Sequence, residues 1–188
     1  MPPQRVEERS HLFRGSQKKE PPKDDLFDID LAHGIIKRKE DGIRVLALGS
    51  PGWATLEKEL SSTFISGAAV ILQRMGYSYG RYLGKIARTQ QKTPEQTLES
   101  LQGFAREAGW GELVLMGGDL SRGQARLVLR DCIFCLHIKE ASEPVCYMLA
   151  GLVGGVADEM IGLNHRVLEE KCIAKGDPHC EIAVEKMG

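Results

Sequence analysis

Large apolar residues recur along the chain with two different periods, and each change of period marks a change of element. Over residues 63–88, Phe64, Ala68, Ile71, Leu72, Met75, Tyr79, Leu83 and Ile86 return at steps of three and four, which predicts one long helix with a core stripe. Gly76, Gly80 and Gly84 fall every fourth residue, so one face of that helix lacks side chains and admits a neighbouring backbone. Thr93-Pro94-Glu95-Gln96 combines an N-cap, a first-turn proline and a capping-box glutamine, and opens a helix ending near Gly109. Past Trp110-Gly111 the period drops to two. Strands are predicted over 112–116, 124–130 and 133–138, with Gly117-Gly118-Asp119 and Ser121-Arg122-Gly123 as turns. Pro144 then opens a helix to about Leu163, thinned by Gly151, Gly154 and Gly155, and strands over 166–174 and 179–184 close a hairpin around Lys175-Gly176-Asp177-Pro178. Nearer the start, 34–39 and 43–48 flank Glu40-Asp41-Gly42 as a hairpin, and Ser50-Pro51 resembles an N-cap and first-turn proline of a helix toward Leu60.

Composition narrows what these elements can do. The chain has 188 residues, 42% of them apolar, with 25 Lys+Arg against 26 Asp+Glu. That length supports one domain with a real core. A net charge of -1 gives no footprint for wrapping nucleic acid. The longest apolar stretch, 147–157, is about half a membrane span and runs into Asp158 and Glu159, so no span is expected. Residues 1–24 carry four of the eight prolines and few large apolar side chains, and are expected to be a disordered tail before a folded domain at 25–188. Charges at the N-terminus, where a signal peptide is apolar, point to the cytoplasm, where thiols stay free or bind metal.

The five cysteines carry the most chemical information. Cross-strand partners in the last hairpin have positions summing to about 352, which sets Cys172 opposite Cys180, at a spacing suited to two thiolates on one metal. Cys132 and Cys135 form a C-x-x-C, but on the predicted strand they point to opposite faces and are expected to be ordinary buried thiols outside any metal set. None of the five histidines has paired-ligand spacing, and no nucleophile elbow, Walker loop or dinucleotide-binding glycine motif is present.

The run from Leu168 to Glu181, with Glu169, Cys172, Gly176 and Cys180, resembles the C-terminal motif of the 4-vinyl reductase domain family, E-x-x-C-x-x-x-G-x-x-x-C in outline. Gly76 to Gly80, Gly109-Trp110-Gly111 and Ala150-Gly151 are similar to weaker motifs of the same family. The resemblance implies a zinc ion held by Cys146, Glu169, Cys172 and Cys180, because aromatic-sensing members place a further cysteine 23 residues before the glutamate. Strand alternation alone would put Glu170 on the face of Cys172, so Glu169 requires a bulge and Glu170 is the reserve ligand.

The resemblance also implies an α+β fold, an antiparallel sheet with packed helices, of the ligand-binding type shared with NO-sensing haem domains and vesicle-tethering subunits. The expected function is a zinc-stabilised sensor or carrier domain for a small hydrophobic, aromatic molecule. Two alternatives stand beside it: an accessory protein or enzyme of tetrapyrrole vinyl reduction, and a dimerising adaptor with a filled core. A homodimer and a separate regulatory partner are expected, and catalysis is not. The ligand cavity is expected between the long helix, the Pro144 helix and the central strands, with Phe64, Met75, Tyr79, Trp110, Phe134, Tyr147 and Met148 in contact.

Overall fold

A computed structural model describes residues 26–39, 41–65, 67–162 and 165–187. The expected tail at 1–24 lies outside them. The chain divides into two units, Met1–Val45 and Leu46–Gly188.

In the first unit, β1 (Phe27–Asp30) pairs antiparallel with β2 (Ile35–Arg38). The turn between them has Gly34 at φ 63°, a left-handed conformation that glycine adopts without strain. The hairpin predicted around Asp41-Gly42 survives in part. The Gly42 N–H donates to the Arg38 carbonyl, but the second arm is reduced to a bridge between Lys37 and Arg44. The main partner of the 35–38 strand lies upstream, not downstream as its pattern suggested.

The second unit holds, among the described residues, α1 (Ser50–Thr63), α2 (Ala68–Thr89), α3 (Pro94–Glu107), β3 (Glu112–Asp119), β4 (Gln124–Arg130), α4 (Tyr147–Ile161), β5 (His165–Lys171) and β6 (Cys180–Lys186). The strands form one antiparallel sheet in the order β3-β4-β6-β5, which bears out the expected α+β class. The Thr93 capping box forms as predicted: its hydroxyl accepts from the Gln96 N–H, and the Gln96 side chain accepts from the Thr93 N–H. At α1 the cap is Gly49, and Ser50 is already helical.

Helices α2 and α4 meet at their glycines. A Cβ on Gly76 or Gly80 would lie 2.0 Å from the carbonyl oxygen of Met148 or Leu152, and one on Gly151 would lie 2.0 Å from that of Gln73. Each helix therefore needs the bare face of the other. Ion pairs finish the join, with Glu159 accepting from Arg81 at 2.9 Å and from Arg88 at 3.0 Å.

The predicted strand at 133–138 does not form. Asp131, at φ 52°, turns the chain off the sheet directly after β4, and the Ile138 N–H then donates to the Cys135 carbonyl within a run of turns. β4 is already paired on both sides, with β3 and β6, so its apolar continuation buries its side chains in the layer beside the sheet instead.

Candidate functional site: a buried thiol cluster beside an apolar cavity

All five cysteines are free thiols, and none is more than 1% exposed. Four backbone features bring them together. The turn at Asp131 aims Cys132 and Cys135 inward, Cys146 sits at the N-cap of α4, Cys172 follows β5, and Cys180 opens β6. The sulfurs of Cys132 and Cys146 are 3.6 Å apart, those of Cys135 and Cys180 3.4 Å, Cys146 and Cys180 3.6 Å, and Cys146 and Cys172 3.9 Å. The expectation that Cys132 and Cys135 lie apart from this group is corrected. It rested on strand geometry, and the C-x-x-C occupies a turn, where residues three apart can face one centre.

The last hairpin carries the bulge that Glu169 requires. Lys171 pairs with Glu181, Glu169 pairs with Ile182, and the register shifts between them. Glu169 consequently turns inward, where its Oε2 accepts from the Cys146 N–H at 2.7 Å. Glu170 lies on the surface beside Arg126, outside the cluster. Burial first, then the Cys172 thiol, pushes the Glu169 carboxyl up to about 8. On α1, Glu57 is also buried and pushed up to about 7, by burial first and then by Cys135. Hydrogen bonding with Cys132, together with burial, raises the Cys146 and Cys180 thiols.

Two overlapping groups of four donors have their ligand atoms within 4.8 Å of one another: Cys146, Glu169, Cys172 and Cys180, and Cys132, Cys135, Cys146 and Cys180. Soft thiolates with one carboxylate suit a thiophilic divalent ion. The Oε1 of Glu169 is buried without any hydrogen-bond partner, as expected of an oxygen whose natural partner is a cation. The residues present therefore fit a metal, and the cluster is able to hold one.

An apolar cavity of about 90 Å³ lies between α3, α4 and the strands β3, β4 and β6. Leu98, Leu101, Trp110, Leu127, Val153 and Met160 are among its lining, and its wall is almost wholly carbon. The Thr97 hydroxyl is spent within α3, donating to the Thr93 carbonyl at 2.8 Å. Of the seven predicted contact residues, only Trp110 lines this cavity. Phe64 and Met75 are half-exposed, and Met148, with its carbonyl against Gly76, belongs to the α2–α4 join. Tyr147 is partly buried at the start of α4. Tyr79, Trp110 and Phe134 do come together, in an aromatic ladder with Trp53 and Phe104 whose successive ring centres are 5.1–6.4 Å apart. The cavity is thus walled by α3 where α2 was expected, because the glycine face of α2 is closed against α4.

These features define a class: a small α+β domain with helices on an antiparallel sheet and a cysteine-rich brace at the sheet end. Residues 126–186 match the family model of the vinyl-4-reductase domain, so the family resemblance read from the terminal motif is borne out. An uncharacterized protein of Methanocaldococcus jannaschii, MJ0150, is 27% identical over 109 residues, which is 58% of this chain and 62% of that protein. The chain thus spans less than two thirds of that curated relative. Among solved structures, the phenol-responsive sensory domain of the transcription activator PoxR with phenol aligns at a TM-score of 0.72 and 21% identity, covering 86% of this chain and 85% of that one. A vinyl-4-reductase family protein from Methanocaldococcus jannaschii aligns at 0.55 and 17% identity, covering 77% and 85%. A trafficking protein particle complex subunit 3 from Naegleria fowleri, covalently bound to palmitic acid, aligns at 0.56 and 15% identity, covering 74% and 93%. At these identities the likeness establishes the fold, including the tethering-subunit relationship. No helix among the described residues is long and apolar enough to cross a membrane.

Proposed function

We propose that the chain is a small-molecule-binding domain whose cavity takes a compact hydrophobic ligand and whose thiol cluster is braced by zinc. The single observation that carries the reading is the cavity itself: a native apolar void of about 90 Å³ in the packed interior of the helix–sheet layer. Empty apolar volume costs stability, roughly 24 cal/mol per Å³, so a retained void of this kind favours an occupant. The likeness to a phenol-responsive sensory domain supports the same reading.

The chemistry of the wall refines the ligand class. Phenol brings a hydroxyl, and burying one without a partner costs about 1–3 kcal/mol. With no free polar group offered by the wall, a hydrocarbon of benzene size or smaller is favoured over a phenol, since apolar cavities of ~150 Å³ accept benzene or xenon. A tetrapyrrole is far larger than this space, so nothing favours the vinyl-reduction alternative. Zinc is assigned to Cys146, Glu169, Cys172 and Cys180, the set that the terminal motif implies, and would act as a structural ion pinning the start of α4 to the last hairpin. With it we propose a cytoplasmic homodimer that passes its signal to a separate regulatory protein. Exposed Phe64, Ile65, Val70 and Met75 support the dimer, and light scattering that gives one 20.8 kDa chain refutes it.

The test of the ligand reading is a thermal-shift series with xenon, benzene, phenol and catechol on the full chain. A ligand at 100 times its Kd adds about 2.7 kcal/mol of stability. Benzene is expected to raise the melting temperature more than phenol at equal concentration. No shift with any of the four overturns the reading in favour of a filled adaptor.

A further inference from the structure

The cluster offers more donors than one tetrahedral ion uses. Its two four-donor groups share Cys146 and Cys180, and together they comprise six donors: five sulfurs and the Glu169 carboxylate. Two tetrahedra that share an edge need six donors, two of them bridging. We propose that the cluster is a binuclear thiolate centre for two zinc-like divalent ions, with Cys146 and Cys180 bridging, Cys132 and Cys135 completing one ion, and Cys172 and Glu169 completing the other. The inference rests on the reading of the cluster as a zinc site and extends it to a second ion.

Spacing supports it first. With a Zn–S bond of about 2.3 Å, the sulfurs at the ends of one tetrahedral edge lie about 3.8 Å apart. Four pairs that the scheme requires to share an ion bracket that value: 3.6 Å for Cys132 and Cys146, 3.4 Å for Cys135 and Cys180, 3.9 Å for Cys146 and Cys172, and 3.6 Å for the bridging pair. Four backbone segments converge to place them, although each thiol could have been buried separately in a core of this size.

Charge supports it next. Three thiolates, one carboxylate and one divalent ion leave two negative charges buried. Adding Cys132, Cys135 and a second divalent ion adds two negative and two positive charges, so the buried total does not change. Filling the second group therefore closes another four-donor shell without deepening the burial cost that an isolated charge would meet. With one ion, by contrast, Cys132 and Cys135 remain thiols, both fully buried and packed against thiolate sulfur.

The surroundings agree with a site short of positive charge. Glu169 Oε1 is buried and unpartnered, and so is Oε2 of Glu57, a residue only 8% exposed whose charge interacts with Cys135 and Cys172. No lysine or arginine is buried among the described residues to balance these acids.

The experiment uses the full chain, produced in medium where cobalt(II) replaces zinc, with metal counted by elemental analysis and native mass spectrometry. About two cobalt ions per chain are expected. Two cobalt(II) ions joined by bridging thiolates couple magnetically, so the paramagnetic resonance signal per cobalt should be several-fold weaker than in the Cys132→Ser/Cys135→Ser double variant, which keeps one ion and its full signal. If that variant fails to fold, the count and the attenuated signal of the wild-type chain decide alone, read against a mononuclear cobalt–thiolate standard. One ion per chain, or two ions without coupling, overturns the binuclear centre and leaves the single-zinc reading standing. A folded chain with no metal overturns both.

Discussion

The thiol cluster and the apolar cavity lie in the same helix–sheet layer, and they treat polarity in opposite ways. The cluster gathers five sulfurs and inward-facing carboxylates, each placed by a backbone device: a left-handed turn at Asp131, a helix N-terminus at Cys146, a bulge before Lys171. The cavity gathers leucine, valine and methionine side chains from regular helices and strands, and it offers a ligand shape but no charge. Irregular backbone thus builds the site that needs directed donors, and regular elements build the site that needs only volume. One physical link joins them. Phe134, between Cys132 and Cys135, packs edge-on against Trp110, which lines the cavity, with ring centres 5.5 Å apart.

The contrast is most exposed to test at the cluster. Cys180 belongs to both donor groups. Structural zinc contributes about 10–16 kcal/mol in small zinc-dependent domains, as much as the whole stability of a typical fold, ~5–15 kcal/mol. Cys180→Ser is therefore expected to lose metal and much of its native circular dichroism at ambient temperature. A variant that melts within a few degrees of wild type would show that the cluster is only a packed core.

Next in size is the join that separates α2 from the cavity. Gly80→Leu forces a side chain into the Leu152 carbonyl and is expected to cost about 3 kcal/mol in urea unfolding. Gly103→Ala on α3, where nothing lies within 4 Å, is expected to stabilise by about 1 kcal/mol. Equal effects at the two positions would refute the close-packing account.

Thr93→Ala removes the cap of the helix that walls the cavity and should cost about 1 kcal/mol. It should weaken ligand binding while leaving metal content at the wild-type value, which tests whether the two regions are separable.

Much of this division was legible in the sequence, and its failures have physical causes. The glycine repeat announced the α2–α4 join because a missing side chain on a helix face has few other uses. The register of the last hairpin followed from its turn, and the sum of 352 holds for Lys171 and Glu181 before the bulge changes it. That bulge is invisible to alternation, which would have chosen Glu170; only the family spacing pointed to Glu169. Cys132 and Cys135 were misplaced because Ile133-Phe134-Cys135-Leu136 reads as a strand, while the single left-handed residue that redirects it is an ordinary aspartate. The C-x-x-C spacing was the available signal, since that spacing gathers ligands on turns. The cavity residues were missed for a different reason: Leu98, Leu127 and Val153 look the same in sequence whether they line a void or fill one.

The smallest expected effect concerns Glu181, beside Cys180 on β6. The hydrogen bond from Lys171 first, then Arg126, holds its carboxyl down to about 2, against an ordinary value of 4.5. A depressed carboxyl stabilises the fold above its unfolded value and loses that contribution as pH falls from about 4.5 to about 2. Glu181→Gln should therefore lower stability by a constant amount near neutrality, and its curve should converge on the wild-type curve as pH falls through that window. A parallel displacement at all pH values would contradict the ion-pair origin.

The most direct measurement is calorimetric titration of benzene into the metal-replete chain and into Ala157→Phe, a substitution that fills the cavity from α4. The account predicts one saturable site in the wild type, with a negative heat-capacity change from apolar burial, and no site in a variant of equal metal content. Absence of binding to the wild type, or unchanged binding in the filled variant, would contradict it.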